Sequence, residues 1–472
     1  MKVNASRFLV KVTSALFIHY PLLSLLVFSV AVACSSIQLD TSKALLIYGV
    51  GAFLLIICLN IIKIQKFGPA YTIILYTIVT HFGYPIVYLI QGNELLIQIT
   101  SNRHLYVQYL PHVLALSFIG CYSFIIGWQF KQKIRISNNK PKRLTTSNLL
   151  DKQQVSPLEK YYLIISTSMI FAFCIILTIN VLQGNLLSVG YAGVKDWLAT
   201  RPLLAYMQRM FWVSLIPVVV FKNKRFLKLN MIPVCIILVL LLLTGNRNDI
   251  LYPLAIAFSL YCLVNKVVPK LPLLIGVIIL FVINPAIAAS RKEAGISLHN
   301  LSWGFSDAII EMGGQVNPFS IIFYLVHNGL EFTKGLTIIL PSISILNLNL
   351  FYSTSDYLNS IYYVPKLLAS LNHFGQAFSM IGEMYLNFGI IGIIVCFCLY
   401  GFFANRIENK SLTGIRLVFY GQFSVLMMLW VRNSLMFNIT ILLFSLLLYL
   451  ISWFSHQILG KRSKGLLSNN KE

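Results

Sequence analysis

The sequence predicts an all-α polytopic membrane protein of about 12 transmembrane helices with one large extracytoplasmic loop, and three observations lead there. Of 472 residues, 57% are hydrophobic and only 11% charged, against about 25% charged in a soluble domain, and mean hydropathy is +0.78. Uncharged apolar runs recur along the whole length, each near the roughly 20 residues a helix needs to cross a bilayer. None alternates in polarity as a barrel strand would. Backbone groups in lipid must be satisfied internally, so these runs are expected as helices.

In chain order the expected spans are 14–34, 44–62, 70–91, 108–129, 161–182, 204–221, 231–244, 250–266, 271–289, 376–402, 414–431 and 435–455. Lys2, Arg7 and Lys11 precede the first and place the N-terminus in the cytoplasm by the positive-inside rule. Alternate loops then divide the 37 Lys and Arg into 26 inside and 11 outside, and the 14 acids into four inside and ten outside. The basic segments 131–160 and 222–228 both fall inside, as do Lys461, Arg462, Lys464 and Lys471, so the C-terminus is expected in the cytoplasm too. Three regions result: spans one to nine within 1–289, with a solvated linker at 131–160; the outer loop 290–375; and the last three spans with the tail in 376–472. Apolar stretches 319–326 and 336–351 of the outer loop are expected to be interfacial or re-entrant. If one of them crossed alone, the C-terminal charges would lie outside.

The net charge of +23 follows from this topology. No basic face interleaved with aromatics is visible, so nucleic acid is not an expected partner. The eight cysteines have neither metal-ligand spacing nor a disulfide pattern. Cys34 after Ala31-Val32-Ala33 resembles a lipoprotein cleavage site but reads as an ordinary cysteine ending the first helix, so no removable signal peptide is expected. No Asp-x-Asp, His-Glu-x-x-His, Walker loop or Gly-x-Ser-x-Gly occurs, which removes support for nucleotide, zinc and serine-hydrolase chemistry. No metal or cofactor is expected.

Charges near the bilayer are costly and tend to be functional. Spans 44–62, 161–182, 231–244, 250–266, 271–289 and 435–455 contain none, which argues against an ion-coupled transporter. The exceptions gather at outer helix ends: Arg209, Arg247, Arg291 with Lys292, Glu383 and Arg432. Six of the 11 outer bases are arginine (Arg103, Arg201, Arg209, Arg247, Arg291, Arg432), against seven of 26 inside. The guanidinium fork grips phosphate in two places, whereas lysine is a mobile point charge. An outward-facing site for pyrophosphate or another anion is one reading; snorkelling to headgroups, or pairing with Asp249, Glu293 or Glu311, is the other.

Glu383 and Asn387 are i, i+4 neighbours and share one helix face. Gly382, Gly389 and Gly392 would let a second helix approach closely. Glu383 is a candidate general base toward a sugar hydroxyl, or an interfacial glutamate bonded to a neighbouring helix. His373 is the rival base. Asp249 suits the cap of the eighth helix. His299 and His327 have no metal-like partners at helical spacing. Trp303, Phe305, Tyr352, Tyr357, Tyr362 and Tyr363 are sugar-stacking candidates or an interfacial aromatic belt.

At Gly245-Asn246-Arg247-Asn248-Asp249, Arg291-Lys292-x-x-Gly295 and Gly382-Glu383-x-Tyr385-x-Asn387-Phe388-Gly389, the sequence resembles the bacterial oligosaccharide repeat-unit polymerases, the Wzy-type O-antigen and capsule polymerases. The plan of about a dozen spans with one large loop before the tenth is similar too. The resemblance implies a GT-C-type glycosyltransferase of the bacterial cytoplasmic membrane. Its substrates would be undecaprenyl-pyrophosphate-linked glycans, and its partners membrane lipids, a flippase and chain-length regulator proteins. Arg209, Arg247, Arg291 and Arg432 would hold the pyrophosphate, Glu383 or His373 would deprotonate the acceptor hydroxyl, and Asn387, Asp249 and Lys292 would support them. The related O-antigen ligases share the Gly389-x-x-Gly392 step, but His373 lies further upstream than their pattern places a histidine. A lipid-linked oligosaccharide flippase and a ligase-type transferase are the alternatives.

Overall fold

A computed structural model of the chain describes residues 19–62, 67–92, 94–95, 107–130, 156–183, 202–243, 248–270, 276, 305–345, 367, 378–409, 414–435 and 439–469. Among them regular structure is helical throughout, with no strand. The helices are α1 (His19–Ala33), α2 (Thr41–Ile61), α3 (Pro69–Gln91), α4 (Leu110–Gln129), α5 (Pro157–Gln183), α6 (Pro202–Val220), α7 (Lys224–Leu243) and α8 (Asn248–Asn265). They continue with α9 (Phe305–Gly313), α10 (Val316–His327), α11 (Leu336–Ile345), α12 (Met380–Glu408), α13 (Ile415–Trp430) and α14 (Thr440–Asn469).

Among the described residues eight helical stretches are long and apolar enough to cross a membrane: α2, α3, α4, α5, α7, Ala308–His327, α12 and α14. α1, α6, α8 and α13 contain shorter apolar helices. The chain is a multi-pass membrane protein. The expected span 271–289 falls almost wholly outside the described residues. α7 begins at Lys224 rather than at 231, and α12 continues to Glu408 rather than 402. The larger difference is in the expected outer loop. Residues 305–345 of it are helical apart from a turn at 314–315 and the segment 328–335, and Ala308–His327 has the length and apolarity of a span. Glu311 and Gly313-Gly314-Gln315 interrupt its apolar run, which is why the sequence alone hides it.

The chain divides into two compact units. The first comprises Met1–Lys133, Trp303–Lys410 and Met427–Ile439, and so contains α1–α4 and α9–α12. α4 and α12 lie parallel and are held by absent side chains as much as by present ones. A Cβ on Gly127 would collide with the Cys398 carbonyl, and one on Gly401 with the Phe124 carbonyl, so glycine lets the two backbones touch. The Asn405 amide donates to the Trp128 carbonyl across the same seam. α9 is seated on α3 in the same way: a Cβ on Gly83 would lie 2.6 Å from Gly313 Cα, and Asn317 Nδ2 donates to the Tyr84 hydroxyl at 3.0 Å. At one end of the unit Glu408 Oε1 accepts the Ala70 N–H at 2.8 Å, satisfying a donor at the start of α3 that has no intrahelical partner. At the other end meet the C-terminal ends of α1 and α10, the N-termini of α4 and α12, and the turn 431–435.

The second unit comprises Ile134–Ser302, Ser411–Leu426 and Thr440–Glu472, where α5 packs against α6, α7 and α14. Pro217 inside α6 cannot donate to the Val213 carbonyl. Gln422 Nε2, fully buried, supplies the missing donor at 3.0 Å, as the absence of water in lipid requires. Lys222 Nζ donates to the Val264 carbonyl at 2.9 Å, a cation at the negative end of α8.

Candidate functional site

The site grows from the first three turns of α12. Ser379 caps the helix, its hydroxyl oxygen accepting the Gly382 N–H at 3.0 Å. One residue on, Glu383 turns inward and is 0% exposed. A carboxylate there is tolerable only with donors around it, and three come from the segment that ends α13. Oε2 accepts the Trp430 indole N–H at 2.7 Å and the Leu435 N–H at 2.9 Å, while Oε1 accepts the Ser434 hydroxyl at 3.4 Å. Glu383 therefore pins the turn 431–435, which carries Arg432, onto the head of α12.

Asn387, one turn further along, is 1% exposed. Its Oδ1 accepts the Thr333 hydroxyl at 2.7 Å and the Gly335 N–H at 2.9 Å; its Nδ2 donates to Thr337 Oγ1 at 2.6 Å and to the Glu383 carbonyl at 2.7 Å. Both acceptor positions and both donors of the amide are thus used. Two residues later α12 breaks. Gly389 has φ 64° and ψ −153°, a conformation open essentially to glycine alone. The break frees the Leu386 and Asn387 carbonyls from their helical donors, and the Thr333 and Lys334 N–H groups take both at 3.0 Å. The segment 333–337 is in effect a plug for a broken helix, and Phe332 closes over Gly389. The expectation that Gly389 serves close helix packing is corrected here, since it serves a backbone turn. Gly389→Ala is expected to destabilise the protein by about 1–3 kcal/mol, the range for such strain in a residue bearing a Cβ, read as a lowered melting temperature in detergent. An unchanged melting temperature would show that the break is not needed.

Glu383 and Asn387 are brought together as their spacing predicts, and Arg432 stands on the turn that Glu383 holds. Arg209 belongs to the second unit, on α6, with its guanidinium 6.0 Å from the centroid of Tyr206. Asp249 lies in the first turn of α8, but its side chain is outside the description, and Arg247, Arg291, Lys292 and His373 lie outside the described residues. Of the expected aromatic stack, Phe305 opens α9, while Trp303, Tyr352, Tyr357, Tyr362 and Tyr363 lie outside the described residues. Sequence reasoning missed Trp430, Ser434, Thr333 and Thr337. The available signal was that a carboxylate opening a span must recruit donors, and Trp430 and Ser434 flank the last turn before the final span.

Comparison with curated proteins and with solved structures finds no match. The family described as O-antigen polysaccharide polymerase Wzy matches residues 16–462. With nearly its whole length covered, the chain belongs to the Wzy family of O-antigen polysaccharide polymerases.

Proposed function

We propose that this chain joins oligosaccharide repeat units carried on undecaprenyl pyrophosphate into a surface polysaccharide at the outer face of the bacterial cytoplasmic membrane. The acceptor hydroxyl of one lipid-linked repeat unit attacks the anomeric carbon of the growing chain. A new glycosidic C–O bond forms, the bond to the phosphate oxygen breaks, and undecaprenyl pyrophosphate leaves. Charge builds on that leaving group, and arginines stabilise it; Arg432 is assigned this role, with Arg209, Arg247 and Arg291 keeping the phosphate-binding role expected of them, supported by Lys292 and Asp249. The observation that carries the reading within this family is the clamp of Trp430, Ser434 and Leu435 on Glu383, which fixes the backbone beside Arg432. Preorganised charge of this kind needs no reorganisation when the bond breaks.

Glu383 is assigned as a positioning residue. Its carboxylate is sealed and already accepts the three donors of the turn together with the Thr337 hydroxyl, so taking a proton from a sugar would require breaking the clamp. His373 is then the candidate for receiving the hydroxyl proton. Placement on the outer face is supported by α12 running parallel to α4, whose C-terminal end leads into the basic segment 131–160 and so marks the opposite, cytoplasmic side.

The test is the size-resolved glycan profile of a strain deleted for this chain. The expected result is loss of long polymer with single repeat units still exported, and restoration by the intact chain. Units accumulating on the cytoplasmic leaflet would establish a flippase instead. Full-length polymer left unattached to its final acceptor would establish a ligase-type transferase.

A further inference from the structure

At the end of the first unit where Glu383 lies, the same helix ends bring together a cluster of rings that the proposed reaction does not use. Phe323, near the end of α10 and buried, is its floor. His112, in the first turn of α4, stacks on Phe323 with centroids 5.0 Å apart and planes inclined by 28°. His327 stacks on the same ring at 6.2 Å and 11°. Tyr109 bridges the group, 5.8 Å from Phe323, 6.4 Å from His112 and 6.0 Å from His327. Tyr385, two residues after Glu383, stacks on Phe323 from α12 at 5.5 Å.

Two features distinguish this cluster from ordinary core. It is open on one side, for His327 is exposed and Tyr109 and His112 are half-buried, whereas Phe323 and Tyr385 are buried. The second feature is polar. His112 Nε2 lies 3.3 Å from the Ser35 hydroxyl, but its Nδ1 is buried with no hydrogen-bond partner among the described residues. Buried polar atoms in native proteins are nearly always paired, so this nitrogen calls for a partner that the described residues do not supply.

The chemistry of the rings narrows the choice. A hydrocarbon chain would gain nothing from imidazole and phenol edges, and a phosphate would want cations, of which the cluster has none of fixed charge. A metal needs more ligands than two imidazoles, and among the described residues no group of three His, Cys, Asp or Glu assembles. A sugar ring fits both features. Its C–H face packs on aromatic surface, and its rim of hydroxyls both donates and accepts, as imidazole and phenol do.

We propose that Tyr109, His112, Phe323 and His327 form a saccharide subsite that holds one sugar ring of the repeat unit, with a hydroxyl bonded to His112 Nδ1. The proposal rests on the polymerase reading and adds to it the place where the glycan, as distinct from its pyrophosphate, is gripped.

The test uses the full chain in lipid nanodiscs and, as probe, the repeat-unit oligosaccharide freed from its carrier by mild acid, with binding followed by saturation-transfer NMR. His112→Phe keeps a ring on Phe323 and removes the nitrogens; Tyr109→Phe removes one hydroxyl and nothing else. Each is expected to weaken binding about tenfold, the scale of one lost hydrogen bond to ligand. Arg432→Ala is expected to bind the free oligosaccharide normally while making no polymer. If wild type fails to bind the probe, or if Tyr109→Phe and a folded His112→Phe both bind as wild type does, the subsite is overturned and the polymerase reading stands. If deleting the chain leaves polymer unchanged, the reading beneath both falls.

Discussion

Arg432→Ala is expected to abolish long polymer, lowering the polymerisation rate by about 10²–10³-fold, the usual effect of removing one preorganised donor from a developing oxyanion. Arg432→Lys is expected to recover only part of it. Lysine restores the charge but not the two-pronged geometry that matches phosphate oxygens. The measurement is the rate of chain extension by purified protein given lipid-linked repeat units, with protein amount matched by immunoblot. Melting temperature separates an effect on chemistry from one on folding. A normal polymer length in the alanine variant at equal expression would remove Arg432 from the site.

The second large effect is at Glu383. Alanine there leaves the Trp430 indole N–H and the Leu435 N–H without the oxygen that now accepts them. Each buried donor so orphaned costs about 1–3 kcal/mol, so Glu383→Ala is expected to lower stability by roughly 2–6 kcal/mol and to expose the turn 431–435 to protease. Glu383→Gln retains the size and one acceptor oxygen, and is expected to fold with reduced turnover. Its pH–rate profile decides between roles. If Glu383 only positions the turn, the glutamine variant keeps the wild-type profile at lower amplitude. If it were the base, the fall in rate toward acid would vanish along with nearly all turnover, and the positioning role would be lost.

Much of this was legible in the sequence, and the rest was not for definite reasons. α2, α3, α4 and α5 were readable because each is a long apolar run between polar loops. Ala308–His327 was not, because Glu311 and the Gly313-Gly314-Gln315 step break its hydropathy, and the chain there turns between α9 and α10 without leaving the apolar stretch. Glu383 announced itself as a carboxylate opening a span, and its i+4 partner followed from helix geometry. The donors it binds did not, because Trp430, Ser434 and Leu435 lie 47 to 52 positions away, and no periodicity links a helix head to a turn so remote. Gly389 was noticed for its missing side chain. That it mattered for its φ rather than for its small size is a fact of backbone conformation that composition cannot carry.

The plug at 333–335 meets the broken helix through main-chain N–H groups for three of its contacts, and only Thr333 adds its side chain. An N–H is the same on every residue but proline. Residue identity at position 334 is therefore limited by its φ of 50° rather than by any side-chain contact with α12, and the number of residues between α10 and α11 by the register of the donors. An insertion there would slide every donor off its carbonyl, and proline at 333 or 334 would delete one outright. A lineage under that constraint diverges in spelling while holding its spacing.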